Sequence, residues 1–124
     1  MKRRSIILYT LLPAAATIAH AQRTTERYIP LGQSPGLSGK VTLIGTVGAV
    51  DSGDRSLAVQ SGAGPQRVRL TDATRMWLDR SAAQQPTLSA TMADLRPGRR
   101  IEVKFTDDSN RSVADWIKID AATP

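Results

Sequence analysis

The sequence predicts a small all-β domain, and three observations carry that expectation. Apolar residues recur at every second position, most clearly where Ile101, Val103 and Phe105 alternate with Arg100, Glu102 and Lys104. Turn chemistry separates such runs at short intervals, at Asp51-Ser52-Gly53-Asp54-Arg55 and again at Gly62-Ala63-Gly64-Pro65. Cysteine is absent, so the fold must be held by an apolar core rather than by disulfides.

The chain opens with Lys2-Arg3-Arg4, an apolar stretch from Ser5 to Ile18 and the small-x-small pattern Ala19-His20-Ala21. That order reads as a secretory signal peptide over residues 1–21, cleaved to leave Gln22 first. The apolar stretch is shorter than the roughly 20 residues of a spanning helix, and Pro13 interrupts it. The expected location is the periplasm or outside the cell, with no transmembrane segment after the leader. The leader also carries the single histidine and three of the 17 basic residues. Without it, 14 basic side chains face 11 acidic ones, a net charge of +3 instead of +6. So mild a balance is no argument for a polyanion partner.

Residues 22–39 read as an arm punctuated by Pro30, Gly32, Pro35, Gly36 and Gly39. Its Tyr28-Ile29-Pro30-Leu31 segment is too apolar for a plain linker. It either packs along the domain or engages a partner, for instance by strand addition. Deleting residues 22–38 tests the second reading, which expects a folded barrel that has lost its partner.

A barrel is expected over residues 40–120, followed by a tail at 121–124. Lys40 to Val50 is the first strand, with Val41, Leu43 and Val47 on one face and Ile44, Thr46 and Val50 on the other. Gly45 and Gly48 within it permit a bulge or bend. Ser56 to Ser61 and Gln66 to Leu70 complete a meander, pointing Leu57, Val59, Val68 and Leu70 inward and Arg67 and Arg69 outward. Arg75 to Leu78 is a brief further strand. Helical turns are expected at Ser81 to Gln84 and at Thr91 to Leu95, the latter with Thr91 as N-cap and Asp94 at N3. Arg99 to Phe105 and Ser112 to Ile119 form the last hairpin, with Ile117 and Ile119 on one face and Trp116 and Ala114 on the other.

A three-stranded meander, a short helical connection between strands 3 and 4 and a hairpin is the order of an OB-like Greek-key barrel of five to six strands. An SH3-like barrel or an open β-sandwich has similar spacing. Gly45-Thr46-Val47, Val68-Arg69-Leu70 with Thr74-Arg75-Met76, Ala93-Asp94-Leu95 with Gly98, Ile101 and Val103, and Ala114 with Ile117 together resemble the small exported bacterial OB-like domains of unknown function. The arm Ile29-Pro30-Leu31-Gly32-Gln33-Ser34-Pro35-Gly36 is similar to one in short hypothetical exported proteins of that kind. The better-described exported OB-fold family carries a paired-aspartate and aromatic strand pattern that this chain lacks, so its ligand-binding role does not carry over.

The chemistry left after leader removal disfavours an enzyme. Without His or Cys there is no Ser-His or Cys-His nucleophile system and no N/S metal site, so no cofactor and no metal are expected. Asp107-Asp108 reads as a solvated hairpin turn, and Asp51 with Asp54 supplies too few oxygens for Ca²⁺. Nucleic acid is disfavoured, since the strands an OB-fold would use carry no aromatic side chain for stacking. The reading that remains is an exported, non-catalytic module acting by surface contact with another envelope protein. The alternative is a domain that binds a small or polyanionic ligand, a saccharide or an oligonucleotide. The candidate contacts are Tyr28, Ile29 and Leu31 in the arm, Arg67 and Arg69 on the third strand, and Arg75, Trp77 and Arg80 around an exposed groove. Trp77 and Trp116 are otherwise core residues or a lid over one barrel end.

Overall fold

The structure, a computed structural model, describes residues 25–123. The expected leader, residues 1–21, lies outside the described residues. Seven strands occur in the order β1 (Thr42–Asp51), β2 (Ser56–Ser61), β3 (Gly64–Arg69), β4 (Arg75–Asp79), β5 (Leu88–Ser89), β6 (Arg100–Phe105) and β7 (Ala114–Asp120). Two 3₁₀ turns, Ser81–Ala83 and Met92–Asp94, lie between β4 and β6. The fold is the expected small OB-like all-β barrel, with one strand more than the expected five or six because Leu88–Ser89 makes a two-residue pair with β4. Among the described residues, no helix is long and apolar enough to cross a membrane.

The strands hydrogen-bond in the order β3-β2-β1-β6-β7-β4-β5. Closure comes from a parallel bridge between Arg69 and Val113, where the Arg69 N–H donates to the Ser112 carbonyl at 2.8 Å. β4 then continues along the same neighbour, pairing in parallel with β7. The end of β3 thus meets the segment that leads into β7, and β7 itself is flanked by β6 and β4.

The barrel interior holds Val47, Leu57, Val59, Val68, Leu70, Leu95, Ile101, Val103, Phe105, Ala114, Ile117 and Ile119, all buried. Two bulges correct the sequence-based faces. Between Val47 and Val50 the β1–β2 register slips, so Val50 packs against the core instead of facing away with Ile44 and Thr46. Between Lys104 and Phe105 the β6–β7 register slips, which turns Ala114 inward with Ile117 and Ile119 and away from Trp116. One extra residue in a strand reverses the parity of everything beyond it. Gly45 has a plainer cause: a Cβ there would stand 2.2 Å from the Gln60 carbonyl oxygen, so the β1–β2 approach admits only glycine. At the second 3₁₀ turn, the Asp94 carboxylate reaches back to the Thr91 N–H at 2.9 Å, as the capping pattern requires.

Candidate functional site

The outer face of β4, β7 and β6 carries side chains in three rungs, because strand alternation places every second residue there. Arg75, Trp116 and Lys104 form the first, Trp77, Lys118 and Glu102 the second, and Asp79, Asp120 and Arg100 the third. A charged rung on an outer face normally faces water, yet Glu102 and Lys118 are as buried as the core. The arm covers them.

The Lys118 ammonium donates to Glu26 Oε1 at 2.7 Å, to the Ile29 carbonyl at 2.9 Å and to Ser34 Oγ at 3.2 Å. The Ser34 hydroxyl in turn donates to Glu26 Oε1. Beside it, Glu102 Oε1 accepts the Gly32 N–H at 2.9 Å and Oε2 accepts the Thr42 hydroxyl at 2.8 Å. Asp79 Oδ2 accepts the Leu31 N–H and Oδ1 accepts the Ser81 N–H, both at 2.8 Å. Burial pushes the Asp79 carboxyl up, but the Leu31 and Ser81 hydrogen bonds and the Lys118 charge together hold it below the usual carboxylate range. Trp77 and Trp116 lie against each other with ring centroids 5.8 Å apart, and the Lys118 ammonium sits 4.8 Å from the Trp116 ring centroid.

This geometry decides where the expected contacts stand. Leu31 and Trp77 are buried rather than exposed. The reason is that the arm's own amides and Glu26 satisfy the charges of the outer face. Ile29 is half-buried and lends its carbonyl to Lys118, while Tyr28 stays 67 % exposed with the Arg27 guanidinium over its ring. Arg80 is spent on its own loop, donating to the Pro86 carbonyl and to Gln85. Arg75 is exposed. Arg67 and Arg69 also point to solvent, standing opposite Ala58 and Ser56 of β2, and Arg67 pairs with Asp54.

The acidic pairs are structural. Asp107 Oδ1 accepts from the Ser109 hydroxyl and N–H, which hold its carboxyl below the usual range, and Asp108 pairs with Arg111 at 2.8 Å. Among the described residues, no group of three or more His, Cys, Asp or Glu side chains is placed to hold a metal ion.

Sequence reasoning missed Glu26, Ser34, Glu102 and Lys118. Alternation marks Glu102 as solvent-facing, and nothing local contradicts it. One signal was available: two tryptophans share that wet face, and an apolar arm precedes the barrel. Together they say that the outer face is covered.

A pocket of about 440 Å³ opens where the arm meets the third rung, lined among others by Leu31, Gln33, Asp79, Ser81, Arg100 and Asp120.

No family model matches the chain, and no curated protein matches it. A search of solved structures returns a crystal structure of Ag(I)CusF at 16 % identity with a TM-score of 0.43, covering 64 % of this chain and 95 % of that one.

Proposed function

We propose that this chain is an exported, non-catalytic module that acts by surface contact with another envelope protein. One observation carries the reading. Each buried ionisable side chain among the described residues is committed to holding the fold: Glu26 to Lys118, Glu102 to Gly32 and Thr42, Asp79 to Leu31 and Ser81, and Arg99 to the carbonyls of Asp94 and Thr123. A catalytic acid or base needs a poised group within reach of substrate, and these groups are already spent. What is left for recognition is surface: the Arg67 and Arg69 strip on β3, Arg75, and Tyr28 in the arm. Export rests on the leader, and cleavage after Ala21 keeps the Glu26 anchor in the mature chain.

The test is in-cell crosslinking from photoreactive residues placed at positions 28, 67 and 69, with Thr106 as the control. The reading expects a common envelope-protein adduct from the three positions and none from the control. Adducts of equal yield at all four positions, or none at any, would count against it.

A ligand reading is favoured by the adjacency of Arg67 and Arg69 over the small side chains of β2, on the face with which OB-folds bind oligomers. A polyanion held there loses affinity steeply between about 50 and 200 mM salt, whereas a protein contact of mixed character changes little.

A further inference from the structure

We propose that the pocket at the strand ends of β4, β6 and β7 binds a small zwitterion of the free amino-acid type, its carboxylate held by Arg100 and its ammonium by Asp120.

The argument starts from register. Asp79 and Asp120 face each other across the parallel β4–β7 ladder. Arg100 and Asp120 each lie one residue beyond the Ile101–Ile119 pair of the β6–β7 ladder. One rung therefore sets two carboxylates and a guanidinium in the lining of the same pocket. Like charges directly opposite each other are unfavourable, and an adjacent cation is the ordinary remedy. Arg100 does not take that role: among the described residues, no ion pair joins it to either carboxylate. The Arg100 guanidinium leans instead towards the arm, where its Nη2 would lie 3.1 Å from a Cβ placed on Gly32.

The two aspartates are not equivalent. Both oxygens of Asp79 already accept backbone N–H groups, so it shapes the field of the pocket. Asp120 accepts one N–H, from Ala122, through Oδ1, which leaves Oδ2 for a ligand ammonium. Arg100 presents a planar fork suited to a carboxylate. The volume of about 440 Å³ falls within the range of small-molecule pockets. Gln33 and Leu31 add an amide and an apolar side chain to the lining. The rung carries one more negative charge than positive, so a basic amino acid fits it better than an acidic one.

The proposal does not depend on an envelope partner. Its test is calorimetric titration of the mature chain with L-lysine, L-glutamate and cadaverine, the last having both ammonium groups and no carboxylate. Saturable binding of L-lysine is expected, at least about tenfold tighter than that of cadaverine, which lacks the carboxylate contact worth about one decade, and tighter than that of L-glutamate, whose extra carboxylate meets the rung's net negative charge. Arg100→Gln and Asp120→Asn are each expected to weaken L-lysine at least about tenfold while leaving the urea midpoint unchanged. Absence of saturable heat, cadaverine binding as tightly as L-lysine, or an R100Q/D120N double variant that binds like the parent would overturn it.

Discussion

The two faces of one sheet are buried by different means. On the inner face of β6 and β7, Ile101, Val103, Phe105, Ile117 and Ile119 exclude water because they are apolar. On the outer face of the same strands, Glu102, Lys118 and Trp116 are equally buried, yet two of the three are ionisable. The inner face is favoured by area alone and tolerates exchange of one aliphatic for another of similar volume. The outer face is favoured only while each charge keeps its partner. Burial of an unpaired charge is costly, and the arm partners stand 84 to 92 residues from Lys118 and 70 from Glu102 in sequence. Equal burial thus hides unequal tolerance: one face fails gradually, the other when a single contact is lost.

The largest effect is expected from deleting residues 22–38. The deletion removes Glu26, Gly32 and Ser34 and leaves Glu102 and Lys118, which sits over the Trp116 ring, without their arm partners. A strongly lowered urea midpoint with red-shifted tryptophan emission is expected. A truncated barrel as stable as the parent would show that the outer face does not need its cover.

Single changes then compare the faces directly. Glu26→Ala should cost about 3–5 kcal/mol, because it strands Lys118 in the interior. Replacing both partners, Glu26→Leu with Lys118→Met, should recover most of that loss, and urea denaturation of the set measures the difference. Phe105→Ala on the inner face should cost a similar amount, about 3–5 kcal/mol, but for the cavity it leaves. No second substitution in a neighbouring charge would rescue it. If the E26L/K118M pair is no more stable than E26A alone, the outer face is held by specific geometry rather than by charge balance.

A smaller effect follows from pH. The folded Asp79 carboxyl lies below its ordinary value of 3.8, so its ionised form is favoured by folding. That contribution is complete above the unfolded value and disappears as pH falls through the folded one. Between about pH 5 and 2 the parent should lose stability more steeply than Asp79→Asn, as read from urea midpoints at each pH. Parallel profiles would break the link between this carboxylate and the arm. The smallest effect is expected from Tyr28→Ala. It removes an exposed ring and should shift stability by no more than about 0.5 kcal/mol, even though Tyr28 belongs to the same arm.

Much of the barrel was legible from local chemistry. The turns at 51–55 and 62–65, the alternation of β6 and the capping pattern at Thr91 are short-range features, and each is found close to where it was expected. Parity beyond a bulge was not legible. The slips near Gly48 and at Asp115 depend on which strand lies alongside, and so Val50 and Ala114 turned out to face the core. The site was less legible still. Arg67 and Arg69 could be placed outward from alternation, but whether Leu31 and Trp77 pack or face a partner stayed open in the sequence, and the structure buries both.

By itself the sequence determined the all-β class and the approximate positions of six of the seven strands. These follow from periodicity, turn residues and glycine placement, all of which act between near neighbours. Only the tertiary structure decided that the arm closes over a charged sheet face and that Glu26 meets Lys118. It alone brought Asp79, Asp120 and Arg100 to one rung. Charges carry no sequence signal of their partners, because attraction between them is set by distance in space and by the loss of water, and both arise only when the chain has folded.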